Sequence, residues 1–304
     1  MPLQGIFLKL LSVLAFTAMV TLIKLLGDRV PVGQVVFARA FFGLLPLIAL
    51  ITWERSWNSA IATRRPLGHM GRALVGLAAM SMWFAALSRL PLPDATAISF
   101  AAPLITTALA VVLLGEVVRL YRWSAILVGF LGVLIILSPN LGLVGALDDP
   151  VRQTGALLAL ASAACMALAQ IFVRKLVKTE TTTATVFYFS ACASVFSLFT
   201  LPFGWVMPDA TTLLMLLAIG LLGGIGQILI TQAFRFADAS VVAPFDYTAM
   251  IFALVIGYLL FDEVPGIAVL AGSVLVVGAG PLAFDREHLL GIARRAAGVA
   301  RTPS

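Results

Sequence analysis

The chain has 304 residues, of which 61% are hydrophobic and 11% charged, with a net charge of +6. Soluble domains carry about 25% charge and at most half apolar residues, so this apolar surface cannot be hidden in one water-soluble core and must face lipid. The basic residues lie mostly between hydrophobic runs, where they orient a membrane protein rather than bind nucleic acid.

Crossing the hydrocarbon core takes roughly 20 apolar residues. Ten runs meet that length, at approximately 5–26, 35–52, 70–89, 95–115, 122–139, 154–175, 184–206, 211–234, 239–261 and 266–284. They are continuous rather than alternating, which excludes a β-barrel and predicts an all-α integral membrane protein. The first run has no basic leader segment and no small-residue cleavage site, so it is expected to be retained as a helix. Its Lys9 and Lys24 lie within a turn or two of opposite ends, where long side chains snorkel to the interface. The second run carries Arg39 about one turn inside its outer end. That residue can bind an anionic group, pair with Glu263, or snorkel. The connection around Thr52–His69 is the longest, and none is long enough for a soluble catalytic domain.

Trp83 lies in the third run, and Ser99 and Pro103 in the fourth, which ends at Glu116. Gln170 lies in the sixth run and Tyr188 in the seventh. Cys165 and Cys192 sit inside apolar runs and read as packing residues, and His69 and His288 are far apart, so no metal-ligand cluster is visible. In the eighth run Gly220 and Gly224 have the spacing for close helix approach, and Gln227, Thr231 and Gln232 fall on overlapping faces. The ninth holds Pro244, Asp246 and Tyr247 and ends at Glu263. Asp246 falls about 12 Å into that run, near the midplane and too deep for its short side chain to reach water. Desolvation there favours the protonated carboxyl, making Asp246 a candidate proton carrier or partner for a cation, with a packing role as the alternative. Pro46, Pro103 and Pro244 free the carbonyls of Phe42, Ser99 and Ser240, for a solute or simply as kinks. Trp83, Tyr188 and Tyr247 offer stacking, and Gln170, Gln227, Gln232 and Ser99 hydrogen bonds. Glu116 and Glu263 are candidate gates. Residues 285–304 form a basic tail, read as a short interfacial helix or a solvated segment.

With the N-terminus inside, the inner connections and tail carry thirteen basic residues (Arg55, Arg64, Arg65, Arg119, Arg122, Arg174, Lys175, Lys178, Arg235, Arg286, Arg294, Arg295, Arg301) and the outer ones three (Arg29, Arg89, Arg152). Both termini are therefore expected in the cytoplasm, with the chain spanning a bacterial inner membrane.

The halves also resemble each other. A shift of 150 matches Gly5 to Gly155, Ser12 to Ser162 and Leu26 to Leu176, and sets Lys24 on Arg174. A shift of 147 matches Glu116 to Glu263 and Val117 to Val264, and sets Phe100 on Tyr247. Five crossings per half is an odd number, so residues 1–145 and 146–284 are expected as repeats of inverted topology around a central site open to one face at a time.

Several stretches resemble the drug/metabolite transporter superfamily in its EamA-type, ten-helix branch. They are Lys24, the Val35-Val-Phe-Ala-Arg-Ala-Phe-Phe42 opening, Ala95-Thr-Ala-Ile-Ser-Phe-Ala-Ala-Pro103 with Leu114-Gly-Glu116, Ala243-Pro-Phe-Asp-Tyr-Thr248, and Gly257-Tyr-Leu-Leu-Phe-Asp-Glu-Val-Pro265. Met250 departs from the pattern, where many relatives carry proline. Gly5-Ile-Phe-Leu-Lys-Leu-Leu-Ser12 with Pro31-Val-Gly-Gln-Val-Val-Phe37 is similar to riboflavin-uptake members. The resemblance implies a secondary carrier of a small organic solute, such as an amino acid or vitamin, with proton coupling open and no cofactor. It acts in the lipid bilayer as a monomer or homodimer. A phosphate-binding Gly-rich loop, a nucleophile elbow, a His-Glu-x-x-His motif and a filter-like segment are all missing from the sequence, which leaves a membrane enzyme or a channel as the weaker alternatives.

Overall fold

The computed structural model describes residues 2–55, 57–114, 120–140, 149–176, 179–236 and 243–278. All regular elements among them are helical: α1 (Pro2–Leu26), α2 (Val32–Trp53), α3 (Trp57–Ile61), α4 (Pro66–Leu87), α5 (Leu92–Ser99), α6 (Ala101–Leu114), α7 (Leu120–Asn140), α8 (Pro150–Leu176), α9 (Thr182–Ser197), α10 (Ala210–Phe236), α11 (Thr248–Phe261) and α12 (Ile267–Gly278). Seven spans have the length and apolarity to cross a bilayer, and three shorter apolar helices, Ile126–Pro139, Phe245–Phe261 and Ile267–Gly278, fill the fifth, ninth and tenth places. The protein is an all-α membrane protein.

Two runs expected to be unbroken are not. The fourth divides at Phe100 into α5 and α6, because the Pro103 ring would collide with the Ser99 carbonyl in a continuous helix. The ninth enters through a tighter 3-10 turn, Ala243–Tyr247, which contains Pro244, before α11 begins at Thr248.

Contacts at the helix ends fix the alternation. On the face where α1 begins, here the proximal face, the Arg64 N–H before α4 bonds Glu180 before α9 at 2.8 Å. On the distal face Lys24 reaches the chain between α4 and α5, and Gln34 at the start of α2 exchanges hydrogen bonds with the Val206 backbone ahead of α10.

One hydrogen bond occurs twice with the halves exchanged. The Ser12 hydroxyl of α1 donates to the Gly226 carbonyl of α10 at 2.9 Å, and the Ser162 hydroxyl of α8 donates to the Ala79 carbonyl of α4 at 2.7 Å. The donors are 150 positions apart and the acceptors 147, the two shifts seen in the sequence. Phe100 and Tyr247, also 147 apart, pack with their ring planes tilted by 54° and centroids 5.2 Å from each other.

Helices α2 and α10 meet backbone to backbone. A Cβ on Gly224 would fall 2.5 Å from the Gly43 carbonyl oxygen and from the Pro46 ring. The small-residue spacing read in the eighth run is thus used for close approach. Gly224→Leu is expected to lower the thermal unfolding temperature in detergent by forcing these helices apart, at a cost of about 1–3 kcal/mol or more. Gly266→Leu, which meets nothing within 4 Å, is expected to leave that temperature unchanged.

Candidate functional site

Helix α1 carries two lysines inside the bundle, and both are joined to the ninth segment. Lys9, seven residues beyond the start of α1, is 1% exposed, and its Nζ lies 2.6 Å from Oδ1 of Asp246 in the turn ahead of α11. At the distal end the Lys24 Nζ lies 2.7 Å from Glu263 and donates to the Leu90 carbonyl at 2.6 Å. Glu263 also accepts the Leu92 N–H at 2.7 Å. Asp262 takes a left-handed conformation, φ 52°, which turns the chain so that Glu263 reaches back.

The structure corrects three expectations. Neither lysine snorkels, because a carboxylate within reach inside the bundle is a stronger partner than distant interfacial water. Glu263 pairs with Lys24 and not with Arg39. Asp246 is ion-paired and its side chain is 53% exposed, so it is not the enclosed carboxyl that depth alone predicted. The break ahead of α11 opens the backbone around it.

Asp246 lies at the proximal end of a pocket of about 160 Å³ between α1, α4, α5 and α11, with Leu92 at its distal end and Phe16, Trp83, Ser99 and Phe100 along its wall. Tyr247 stands behind Phe100. The Ser99 hydroxyl donates to the Thr96 carbonyl at 2.6 Å, so its proton is committed to the helix and its oxygen retains acceptor capacity. The broken fourth helix and the broken ninth helix thus bring Trp83, Ser99, Asp246 and Tyr247 together.

Other candidates lie elsewhere. Gln227 and Gln232 line a second pocket of about 220 Å³, with Glu54 and Thr183, at the proximal ends of α2, α9 and α10. The Tyr188 hydroxyl donates to the Ile61 carbonyl at 2.6 Å and its ring lies against His69, so it clasps α3 to α9. Gln170 is exposed on α8, and Pro103 is exposed on α6. Glu116 and the tail 285–304 lie outside the described residues, as does the Pro244 side chain.

Arg39 stays inside the bundle. It is 8% exposed, and its guanidinium carbon lies 5.8 Å from the centroid of Phe189. The Arg72 guanidinium sits on the same ring at 3.7 Å, and its Nε and Nη1 are buried with no hydrogen-bond partner. Neither Arg72 nor Phe189 stood among the candidates read from the sequence, and Phe189 was one apolar residue among many. The readable signal was an arginine two residues inside the predicted run 70–89, and α4 begins early enough, at Pro66, to set it six residues deep.

On the proximal face Glu180 and His69 are both buried, with Nε2 and Oε2 3.6 Å apart. Burial disfavours the Glu180 carboxylate, but the Arg64 backbone N–H, His69 and the Thr63 hydroxyl outweigh it and hold its pKa below the ordinary glutamate value.

Comparison with known proteins places these features in a family context. A profile of the EamA-like transporter family matches residues 3–138 and again 153–280. The chain is 31% identical to an S-adenosylmethionine uptake transporter of Rickettsia bellii (strain RML369-C) over 90% of this chain and 91% of that protein. It is 29% identical to a pseudopaline exporter of Pseudomonas aeruginosa (strain UCBPP-PA14), over 91% and 94%. It is 28% identical to a riboflavin transporter of Vibrio cholerae serotype O1, over 91% of each. A crystal structure with 20% identity superposes with a TM-score of 0.63, covering 92% of this chain and 96% of the other, and so shares the fold.

The Lys9–Asp246 pair is unequal in burial, and that fixes a stability order. Asp246→Asn takes the carboxylate from a buried ammonium and is expected to cost about 3–5 kcal/mol. Lys9→Met leaves a carboxylate less enclosed by protein than the ammonium it faced and is expected to cost less, and adding Lys9→Met to Asp246→Asn should restore stability. Thermal unfolding of the three variants checks this, and equal losses for both single changes would contradict it. Glu180, whose pKa is depressed by folding, contributes stability that is complete above the ordinary glutamate pKa of about 4.3 and is lost as pH falls through the lowered value. Glu180→Gln is expected to flatten the acid limb of a melting-temperature profile below about pH 4.3 and leave its neutral limb parallel to wild type.

Proposed function

The chain belongs to the EamA-like transporter family and moves a small metabolite, and on that premise we propose that its solute is S-adenosylmethionine or a metabolite of the same chemistry, an aromatic heterocycle joined to a cationic, amino-acid-bearing arm. The observation that carries this reading is the half-exposed Asp246 carboxylate at the end of an aromatic-walled pocket. Trp83 and Phe100 suit a stacked heterocycle, and the carboxylate and ring faces suit a cation. The overall similarity to an S-adenosylmethionine uptake transporter supports the same choice.

The carrier works by alternating access, with 1–145 and 146–284 as the two moving units. The cationic arm competes with Lys9 for Asp246. Displacing Lys9 loosens α1, and α1 carries Lys24 of the distal latch, so occupancy of the pocket weakens the Lys24–Glu263 contact at the other end of the same rigid helix. Gln227 and Gln232 of the proximal pocket meet the solute on its way to or from that face. Asp246 carries the coupling proton. The proximal face is cytoplasmic, as the excess of basic residues there supports, and the membrane is a bacterial inner membrane.

Purified protein in proteoliposomes is expected to take up labelled S-adenosylmethionine saturably and to show counterflow, which a channel would not. Asp246→Asn should abolish the response to an imposed pH gradient. Wild-type liposomes that accumulate riboflavin but not S-adenosylmethionine would overturn the choice of solute, and an unchanged pH response in Asp246→Asn would remove Asp246 from coupling.

A further inference from the structure

We infer that Arg39 and Arg72, set about the ring of Phe189, form an anion subsite that takes the carboxylate of the transported metabolite. This rests on the proposed transport of an amino-acid-bearing solute, and it concerns a place apart from the Asp246 pocket.

Three helices bring the group together. Arg39 lies seven residues into α2 from the distal face, Arg72 six residues into α4 from the proximal face, and Phe189 seven residues into α9 from the proximal face. At 1.5 Å per residue each backbone position is about 10 Å from its own face, so the two long side chains converge near mid-depth from opposite sides. Glycines leave the room. A Cβ on Gly76 would fall 2.7 Å from the Phe189 ring and 3.0 Å from Arg72 Nη1, and one on Gly223 would fall 3.2 Å from Arg39 Nε.

The electrostatics of this arrangement are incomplete. The two guanidiniums lie 3.7 and 5.8 Å from one ring centroid and repel each other. Among the described residues no carboxylate pairs with either, although Lys9, Lys24 and His69 each have one. A single aromatic face offsets only part of the desolvation of one cation, and Nε and Nη1 of Arg72 are buried without hydrogen-bond partners. Nε and Nη1 lie on opposite edges of the Arg72 guanidinium, and each forms a carboxylate-matching fork with Nη2. An anionic oxygen group would complete one of these forks, neutralise the repulsion and sit between helices of both halves, where its arrival and departure couple directly to their relative motion. The anionic group has two sources, the carboxylate of the metabolite or a free inorganic anion.

Full-length protein in detergent separates these. S-adenosylmethionine is compared with its decarboxylated analogue, which keeps the base and the cation, and acetate and phosphate are titrated at constant ionic strength. The expected result is that wild type binds S-adenosylmethionine roughly 10- to 100-fold more tightly than the decarboxylated analogue and that acetate raises its melting temperature saturably. Arg39→Gln and Arg72→Gln should lose both effects. Arg39→Lys and Arg72→Lys, which keep the charge but not the fork, should retain part of each with an unchanged size-exclusion profile, so the test survives if the glutamine variants fail to fold. Equal affinity for the two adenosyl compounds, or discrimination that persists in all the variants, would overturn the subsite and leave the choice of solute standing. Stabilisation by phosphate but not acetate would overturn the carboxylate assignment. Arginine-dependent stabilisation by acetate in a protein that takes up no S-adenosylmethionine would leave the subsite standing and remove that solute.

Discussion

A charge inside a bilayer has no water to fall back on, so it must find its partner within the protein. Helix α1 has two such charges, and both find partners on the ninth segment, Lys9 on Asp246 at one end and Lys24 on Glu263 at the other. The first helix of one half is therefore tied at two depths to a helix of the other half. The pocket between them takes its length from the separation of these ties. Its proximal end is the carboxylate of the first pair, and its distal end, at Leu92, is held by the second through the Glu263 bond to the Leu92 N–H. Removing either tie would open the same pocket at a different end.

The repeat gives a scaffold in which each half supports the other by the same bonds, and the chemistry lies where the repeat is broken. Ser12 and Ser162 make equivalent bonds, and Phe100 meets Tyr247 across the pseudo-symmetry. The counterparts of Lys9 and Asp246 are Ala159 and Ser99, so the ion pair has no equivalent at the matching positions. Likewise Phe189 stands 150 positions from Arg39, and a cation in one half faces an aromatic ring in the other. Equivalent backbones carrying unlike side chains place one charge arrangement near a centre that two similar bundles share. Alternation between two shapes needs the symmetry, and recognition of an unsymmetrical solute needs its violation.

The bundle also shows two ways of handling buried polar groups. At the proximal face Glu180 is saturated by the Arg64 backbone N–H, His69 and Thr63, and Tyr188 ties α9 to α3. The carboxylate so satisfied holds ends together, although the ring nitrogens of His69 beside it are buried without hydrogen-bond partners. At mid-depth the two arginines share one ring, and part of a guanidinium fork is unsatisfied. In a medium where an unmet donor is costly, the two guanidiniums differ from the clasp in having no carboxylate partner among the described residues, whereas His69 faces Glu180.

The sequence by itself determined the class. Ten apolar runs, few charges, the basic asymmetry and the two shifts of 150 and 147 dictate a helical membrane protein with related halves, because lipid imposes length and apolarity on each crossing separately. It also marked Asp246 as a carboxylate at depth, Trp83 as a stacking surface and Ser99 as a hydrogen-bonding group beside Pro103. What the tertiary structure decided was pairing. Lys9 and Lys24 looked like snorkelling ends because a single run shows depth and not the neighbour that supplies a carboxylate. Arg72 and Phe189 were invisible as a pair because they lie on different helices, 117 positions apart. Whether a buried charge is satisfied, exposed or left waiting depends on which helix faces it, and facing is a property of packing that hydropathy along one chain does not encode.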